Sequence, residues 1–446
     1  MRSLFMFGDV LQSSTVVFIK PEAVGMKNTT LWASTSLFNF CIVGLLGFIL
    51  RSKILFDLPW INYLNLLDAH SHFAFGGWIT LALLMLLVRE LLPELYRNKN
   101  IYQWILGSIF LSSAGTLLAT TFDVEVLKDF FSGLFIVTSY IFSWAFIKHI
   151  RKAVVTKTVY LLSISAIACL ILSSLGPITL SCLHALRSVQ SVYYRDALYI
   201  YLHFQYNGFF TLAVFALLFQ KLYPKIKKEN QKNFYRFALL LCLSTLPSLF
   251  LSFLWQAPNK TFRVIAAAGS ILVFASVALF IISSLRVFKL FRFVRGPLRS
   301  MLLLSTGAFV LKMVLQSLTI FTGIGNAVFG DRPAIIGFLH LVFLGFVSPF
   351  ILAFYIQEKI LNVKVKLAIH AQIIFILFVV CNEIVLMLQG VGAIFLKGSH
   401  WFSWSLWVIS IGLLVGVVLI FVAVIKSTAQ SLTTDEGPQE LVIKGN

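Results

Sequence analysis

Twelve apolar runs, each long enough to cross a lipid bilayer as a helix, follow one another along the chain. A membrane-spanning helix needs roughly 20 consecutive, mostly apolar residues. Because no long polar insertion separates the runs, the pattern predicts an all-α, polytopic membrane protein with one transmembrane domain. The predicted spans are 31–50, 66–88, 102–121, 129–148, 159–178, 197–220, 236–254, 264–286, 299–322, 334–356, 367–389 and 403–425.

Polar segments flank this domain at both ends of the sequence. We expect an N-terminal lead-in over residues 1–28, a transmembrane domain over 29–426 and a flexible tail over 427–446. Only 12% of the residues are charged and 59% are hydrophobic. A soluble domain usually carries about 25% charged residues, so this composition excludes a water-soluble globule and makes the lipid bilayer the main partner.

Basic residues cluster in the loops that follow the even-numbered spans, for example at Lys148, Arg151 and Lys152. The positive-inside rule assigns such loops to the cytoplasm. The sequence therefore predicts a multi-pass protein of the inner (cytoplasmic) membrane with both termini cytoplasmic. The excess of 36 Lys and Arg over 17 Asp and Glu then reflects topology, and we expect no nucleic acid as a partner.

Histidines stand near the start of three even-numbered spans, which begin at the outer face in this orientation. Span two opens with LLDAHSHFAFGGW, which contains His70 and His72. Spans six and ten contain LYIYLHFQYNGFF with His203 and IIGFLHLVFLGF with His340. Ionisable residues inside a membrane are functional by default. Their shared depth favours a common role over three unrelated helix contacts.

Two histidines on facing helices can bind a haem iron from both sides, which is the chemistry that this pattern favours. His70 and His72 are separated by about 200° around a helix, so they cannot both bind the same iron. No CxxCH motif is present, which argues against covalent haem. The five scattered cysteines predict neither a disulfide framework nor a cysteine metal site.

The three histidine segments resemble those of subunit I of the haem-copper oxidase superfamily, which includes cytochrome c oxidases and nitric oxide reductases. AHSHFAFGGW is similar to the second helix of that family, HFQYNG to its sixth helix and FLHLVFLGF to its tenth. The resemblance implies a bundle of the same kind with one low-spin, bis-histidine haem b. It implies that His70 or His72 pairs with His340, with His70 favoured, and that His203 is the ligand of a second metal.

The sequence also departs from that family. The family places a histidine pair on its seventh helix, where this chain reads FALLLCLSTLPSLFLSFLW, and a second histidine on its tenth helix. A second haem, or a copper or non-haem iron centre, therefore lacks its usual ligands. The resemblance still implies a divergent, oxidoreductase-like protein that transfers electrons or reacts with O2 or NO. It also implies partners, namely an electron-donor protein or a quinol, and possible other subunits.

Three other interpretations stay open, and one of them is a purely structural or assembly role for a degenerate oxidase relative. The HSHFAFGG segment is also similar to a membrane haem and copper protein family linked to nitric-oxide stress. Lys312 and Glu383 lie in the middle of spans nine and eleven and either form a proton path or make helix contacts. Together with the histidines they would suit a proton-coupled secondary transporter, although the two halves of the chain lack the similarity that many transporters show.

Overall fold

The computed structural model describes residues 26–188, 190–256, 259–291, 296–330, 332–360, 366–394 and 399–435. Within these ranges all regular structure is helical, and twelve helices are long and apolar enough to cross a membrane, which confirms the predicted spans. Of the expected lead-in over 1–28 and the expected flexible tail over 427–446, residues 1–25 and 436–446 lie outside the described residues, whereas residues 427–435 continue the last helix. We name the helices α1 (Thr29–Leu55), α2 (Tyr63–Leu91), α3 (Asn100–Thr121), α4 (Glu125–Ile150), α5 (Lys157–Ala185), α6 (Ser191–Lys225), α7 (Lys228–Gln256), α8 (Lys260–Phe291), α9 (Gly296–Leu318), α10 (Arg332–Gln357), α11 (Lys366–Ile394) and α12 (His400–Asp435).

Most helices extend a few residues beyond the apolar runs, because polar residues at a helix end can reach the membrane surface. Helix α9 instead ends at Leu318, four residues before the predicted end of its span. Tight backbone hydrogen bonds over residues 316–321 turn the chain there. A separate short helix, Thr322–Gly330, follows before α10 begins.

Helices α2, α6 and α10 form the centre of the bundle. In α2 and α6 83% of the apolar segment is buried, and in α10 61%, against 33% to 56% in the other nine. Around this centre, α3 packs on α4, α7 on α8 and α11 on α12. Helix α1 packs on α12, which closes the outer ring. The three predicted histidine-bearing spans are therefore the three central helices.

Each central helix contains one π-helical stretch of seven residues just after its histidine. The stretches are Ala74–Thr80, Phe204–Phe210 and Leu341–Val347. A π-helical stretch contains an inserted residue, interrupts the regular ladder of hydrogen bonds and often marks a functional site. The sequence-based prediction of continuous α-helices missed these stretches.

Side chains from neighbouring helices bind one backbone carbonyl in each π-helical stretch. Backbone oxygens inside a membrane need such partners because no water reaches them. Asn39 on α1 and Lys312 and Ser305 on α9 are the donors. The bonds are Asn39 Nδ2 to Gly77 O at 2.7 Å, Lys312 Nζ to Tyr206 O at 3.2 Å and Ser305 Oγ to Phe346 O at 2.8 Å.

A short pattern, His-x-x-aromatic-x-Gly, recurs once in each central helix. Its three aromatic rings meet in the middle of the bundle, where the ring centres of Phe75 and Phe343 are 4.5 Å apart and those of Tyr206 and Phe343 are 6.4 Å apart. The pattern places His72, His203 and His340 at equivalent positions in the three helices, which agrees with the shared depth that the sequence predicted. The three copies are His72–Phe75–Gly77, His203–Tyr206–Gly208 and His340–Phe343–Gly345.

Ion pairs join the opposite ends of the same three helices. Lys221 Nζ at the end of α6 lies 2.6 Å from Glu90 Oε2 of α2 and 2.6 Å from Glu358 Oε2 just after α10. Arg89 pairs with Glu90. We call this end of the bundle the basic side, and the end at which α2, α6 and α10 begin the histidine side.

The glycine of the second copy of the pattern generates a prediction. A β-carbon on Gly208 would lie 2.4 Å from Cys169 Cβ on α5. We expect Gly208→Ala to overpack this contact, to destabilise the protein by about 1–3 kcal/mol and to lower its thermal unfolding temperature in detergent. Gly133→Ala is the matched control, because no atom lies within 4 Å of the added carbon.

The effect of Gly208→Ala should be smaller when it is introduced into a Cys169→Gly background, because the clashing side chain is then absent. Unfolding temperatures of the two single variants and the double variant measure this coupling. Equal losses in both backgrounds would show that the contact between α5 and α6 is not the cause.

Candidate functional site

His70 and His340 each use one ring nitrogen to hold the imidazole against the backbone. His70 Nδ1 lies 3.1 Å from the carbonyl oxygen of Val43 on α1, and His340 Nδ1 lies 2.8 Å from that of Ile336, one turn earlier in α10. Because a carbonyl oxygen only accepts, Nδ1 is the donor in both rings. In a neutral ring Nε2 then keeps its lone pair, as in histidines that bind metals.

The two rings share one electrostatic environment although they belong to different helices. His70 and His340 interact electrostatically, and both interact with the guanidinium of Arg51 near the end of α1. Gly47 on α1 gives His70 room, since a β-carbon there would lie 3.2 Å from Cε1 of the ring. His70 and His340, which the sequence predicted as a pair, are therefore near enough to influence each other electrostatically, and their binding of one iron stays a prediction.

Arg51 adds a positive charge beside this pair. It interacts with Tyr63 at the start of α2, and the guanidinium of Arg332 lies 5.8 Å from the centre of the same tyrosine ring. Within the described ranges no carboxylate forms an ion pair with Arg51. An acidic group on a ligand between the histidines would meet this positive charge on the histidine side. The sequence analysis did not identify Arg51, because only its position beside the rings gives it significance.

His72 faces a different part of the bundle. Its Nε2 lies 3.1 Å from Asp68 Oδ1, and Lys128 at the start of α4 binds the other oxygen of that carboxylate. His72 is 40% exposed in its side chain. The two histidines of span two therefore have separate partners, as the predicted angle of about 200° between them requires.

A cavity of about 400 Å³ opens beside His72 and is bounded by helices α2 to α6. We call it the histidine-side cavity. Asp68, His72 and Lys128 line it, together with the aromatic rings of Phe75 and Tyr201. It combines charged groups with apolar and aromatic walls, which is typical of sites for small amphipathic molecules.

Both ring nitrogens of His203 already have protein partners. Nε2 donates to the carbonyl of Thr245 on α7 at 2.7 Å, and Nδ1 accepts from Asn207 Nδ2 at 3.1 Å. Helix α7 tightens into a 3-10 helix from Leu249, so the Leu249 N–H donates to the carbonyls of Leu246 and Pro247 and not to that of Thr245. The Thr245 carbonyl can therefore accept from His203. A metal at His203 would have to displace one of these bonds.

A second cavity, of about 270 Å³, lies between α6, α7, α9, α10 and α11. Its walls are mainly apolar, with Tyr206, Gln316 and Phe338 among them, and the described residues that line it include no histidine. It offers space for an apolar molecule but no imidazole ligand for a second haem.

Lys312 and Glu383, the candidates for a proton path, are both buried beside the third π-helical stretch. Lys312 Nζ binds Thr211 Oγ1 at 2.8 Å and the carbonyl oxygen of Tyr206. One oxygen of Glu383 accepts from Asn382 Nδ2 at 3.1 Å, and the other has no partner among the described groups. Within the described ranges Lys312 and Glu383 form no ion pair with each other. The hydrogen bonds of Lys312 are a helix contact, which is one of the two roles that the sequence left open. The proton path stays a prediction.

The donor set suits a haem better than a metal ion bound by protein alone. Within the described ranges, no group of three or more His, Cys, Asp or Glu residues is placed to hold a metal ion. A haem brings four nitrogen ligands of its own and needs only axial ligands from the protein. Among the described residues, Nε2 of His70 and of His340 has no hydrogen-bond partner, which fits that requirement.

Comparisons of the sequence with protein families and with curated proteins found no match.

Proposed function

We propose that this chain is a haem-binding redox protein of the membrane whose bundle resembles subunit I of haem-copper oxidases, and that it transfers electrons. One observation carries the proposal. His70 and His340 belong to two central helices, share one environment and each keep Nε2 available while Nδ1 is bound to the backbone. The proposed cofactor is one low-spin haem b, which His70 and His340 would hold through Nε2.

The residues around the proposed haem would orient its ligands and balance its charge. The bonds from Nδ1 to Val43 and Ile336 fix the angle of each ring and make Nε2 a stronger ligand. Arg51 would pair with an acidic substituent of the macrocycle and favour the less positively charged, reduced iron. The haem itself would supply a reversible one-electron couple.

Electron transfer is favoured over reaction with O2 or NO because a haem iron held by both His70 and His340 would have no position left for a gas. The predicted second metal ligand, His203, has both nitrogens engaged, and the second cavity lacks a lining histidine within the described ranges. Gas chemistry would need one axial ligand to leave. The same absence of free ligands argues against a binuclear centre with copper or iron.

The proposed placement follows from the basic loops. We place the protein in the inner (cytoplasmic) membrane with both termini in the cytoplasm. The basic side, with Lys221 and Arg89, then faces the cytoplasm. The histidine side faces outward, so the proposed haem lies near the outer surface, where an external donor could reach it.

The decisive measurement is a visible spectrum, dithionite-reduced minus oxidised, of the purified protein in detergent. We expect the sharp α band of a low-spin b-type haem, and a pyridine haemochrome assay should give about one haem per chain. The reduced protein should not bind carbon monoxide. Protein produced with sufficient haem but purified without it would refute the proposal and favour a transporter. Rapid carbon monoxide binding would favour gas chemistry.

Substitution of single histidines tests the ligand assignment. His70→Ala and His340→Ala should each abolish the low-spin spectrum, because each removes an axial ligand. His72→Ala is the matched control, two residues from His70 on another face of α2, and should keep the spectrum. His203→Ala should also keep it, since that ring binds Thr245 and Asn207. A spectrum lost in His72→Ala but kept in His70→Ala would reverse the assignment.

Arg51→Leu tests the charge beside the proposed haem. Removing a positive charge stabilises the oxidised iron, so the midpoint potential should fall by an amount on the order of tens of millivolts. Arg51→Lys keeps the charge and should lie closer to the unsubstituted protein. Redox titration of both variants measures the difference, and an unchanged potential in Arg51→Leu would place Arg51 away from the haem.

A further inference from the structure

We propose that the second cavity, between α6, α7, α9, α10 and α11, binds an uncharged aromatic molecule of two fused rings that carries one hydrogen-bond donor. Its volume of about 270 Å³ exceeds the roughly 150 Å³ of an apolar cavity that holds a single benzene ring. The described residues that line it include no charged side chain, so an ionic ligand would find no counter-charge there. They also include neither His70, His340 nor Arg51, so the inference does not depend on the proposed haem.

An unpartnered amide on α9 points to a ligand that donates a hydrogen bond. Gln316 lines the cavity and is only 8% exposed, yet its Oε1 has no hydrogen-bond partner among the described residues. Buried amide oxygens are expected to accept a hydrogen bond, and one that is left without a partner destabilises the protein. An N–H or O–H group of a ligand beside Gln316 would supply the missing donor.

The course of α9 explains why the protein supplies no partner for this amide. Lys312 lies one turn before Gln316 on the same face of the helix and binds Thr211 Oγ1 and the carbonyl of Tyr206 on α6. One turn later the second cavity separates that face from α6. Helix α9 ends two residues beyond Gln316, where the hydroxyl of Thr319 donates to the Gln316 carbonyl. The backbone of Gln316 is therefore satisfied while the oxygen of its side chain is not.

Aromatic side chains on two central helices favour a flat ring over a flexible chain. The rings of Tyr206 on α6 and Phe338 on α10 both line the cavity and meet edge to face, with 5.7 Å between their centres. A further aromatic ring packs well on such edges and faces. Met387 on α11 also lines the cavity, and its thioether makes favourable contacts with aromatic rings. A fused-ring ligand would therefore contact α6, α9, α10 and α11 together.

Indole and indene form a matched pair of probes for this site. Both are uncharged fused-ring molecules of nearly the same shape, but only indole carries an N–H donor. We expect indole to bind saturably to the detergent-solubilised protein, measured by equilibrium dialysis against a protein-free micelle blank. Indene should bind about fivefold more weakly because it cannot donate to Gln316, and this factor corresponds to about 1 kcal/mol for one hydrogen bond.

Gln316→Met removes the amide and keeps a side chain of similar length. Indole and indene should bind this variant equally well, because neither finds the acceptor. Gln372→Met is the matched control, since Gln372 is also buried, at 6% exposed, but lies near the start of α11 and outside the cavity lining. It should keep the preference for indole. A preference that persists in Gln316→Met would overturn the proposed contact.

Unfolding temperatures separate a loss of binding from a loss of folding. Saturating indole should raise the thermal unfolding temperature of the unsubstituted protein, because the site exists only in the folded state. Without ligand, Gln316→Met should unfold at no lower temperature than the unsubstituted protein, since it removes an unpartnered acceptor. A clear fall would show that the amide already has a partner in the protein, and would overturn the proposal.

Val328→Trp tests the cavity itself. Val328 lies half-buried at the cavity wall on the short helix Thr322–Gly330, and a larger ring there would fill the space. Neither probe should then bind. Binding that this variant leaves intact, or the absence of saturable indole binding to the unsubstituted protein, would overturn the site. If Val328→Trp does not fold, the comparison of the two probes on Gln316→Met still decides the proposal.

Discussion

Every backbone carbonyl in the apolar centre of the bundle needs a hydrogen-bond donor, and the arrangement of the three central helices depends on this constraint. The π-helical stretches interrupt the ladder, and Asn39, Lys312 and Ser305 donate to the affected carbonyls. These bonds tie α2 to α1, and α6 and α10 to α9. They fix the rotation of each central helix about its axis. That rotation decides which way each histidine points, so the candidate site depends on polar contacts several residues away from it.

The apolar pattern was sufficient to predict the twelve helices, because length and hydropathy alone determine whether a segment can span a bilayer. It also predicted that His70 and His72 face different surroundings, since this follows from helix geometry. The partners of His203 could not be predicted, because Thr245 is 42 residues away and offers its carbonyl only where α7 tightens. Arg51 was missed because only its position beside the rings of His70 and His340 gives it significance. The repeated His-x-x-aromatic-x-Gly spacing was present in the sequence and would have indicated three equivalent helices.

Lys312 shows how one buried charge can have a structural explanation and still leave a chemical question. Its hydrogen bonds to Tyr206 and Thr211 hold α9 against the π-helical stretch of α6, and its ammonium lies 5.5 Å from the centre of the Tyr206 ring. These contacts compensate for part of the loss of hydration that burial imposes. Glu383 has fewer partners, with one oxygen unsatisfied among the described groups. Of the two residues, Glu383 is therefore the stronger candidate for moving a proton.

Helix α2 separates two chemically different environments. On one face, His70 lies near His340 and Arg51, in surroundings that suit an iron ligand and an acidic substituent. On another face, His72 Nε2 contacts Asp68 beside a cavity with aromatic walls. Here a spacing of two residues places the two sets of contacts on different faces of one helix, so the surroundings of His70 and His72 are set by different neighbouring helices.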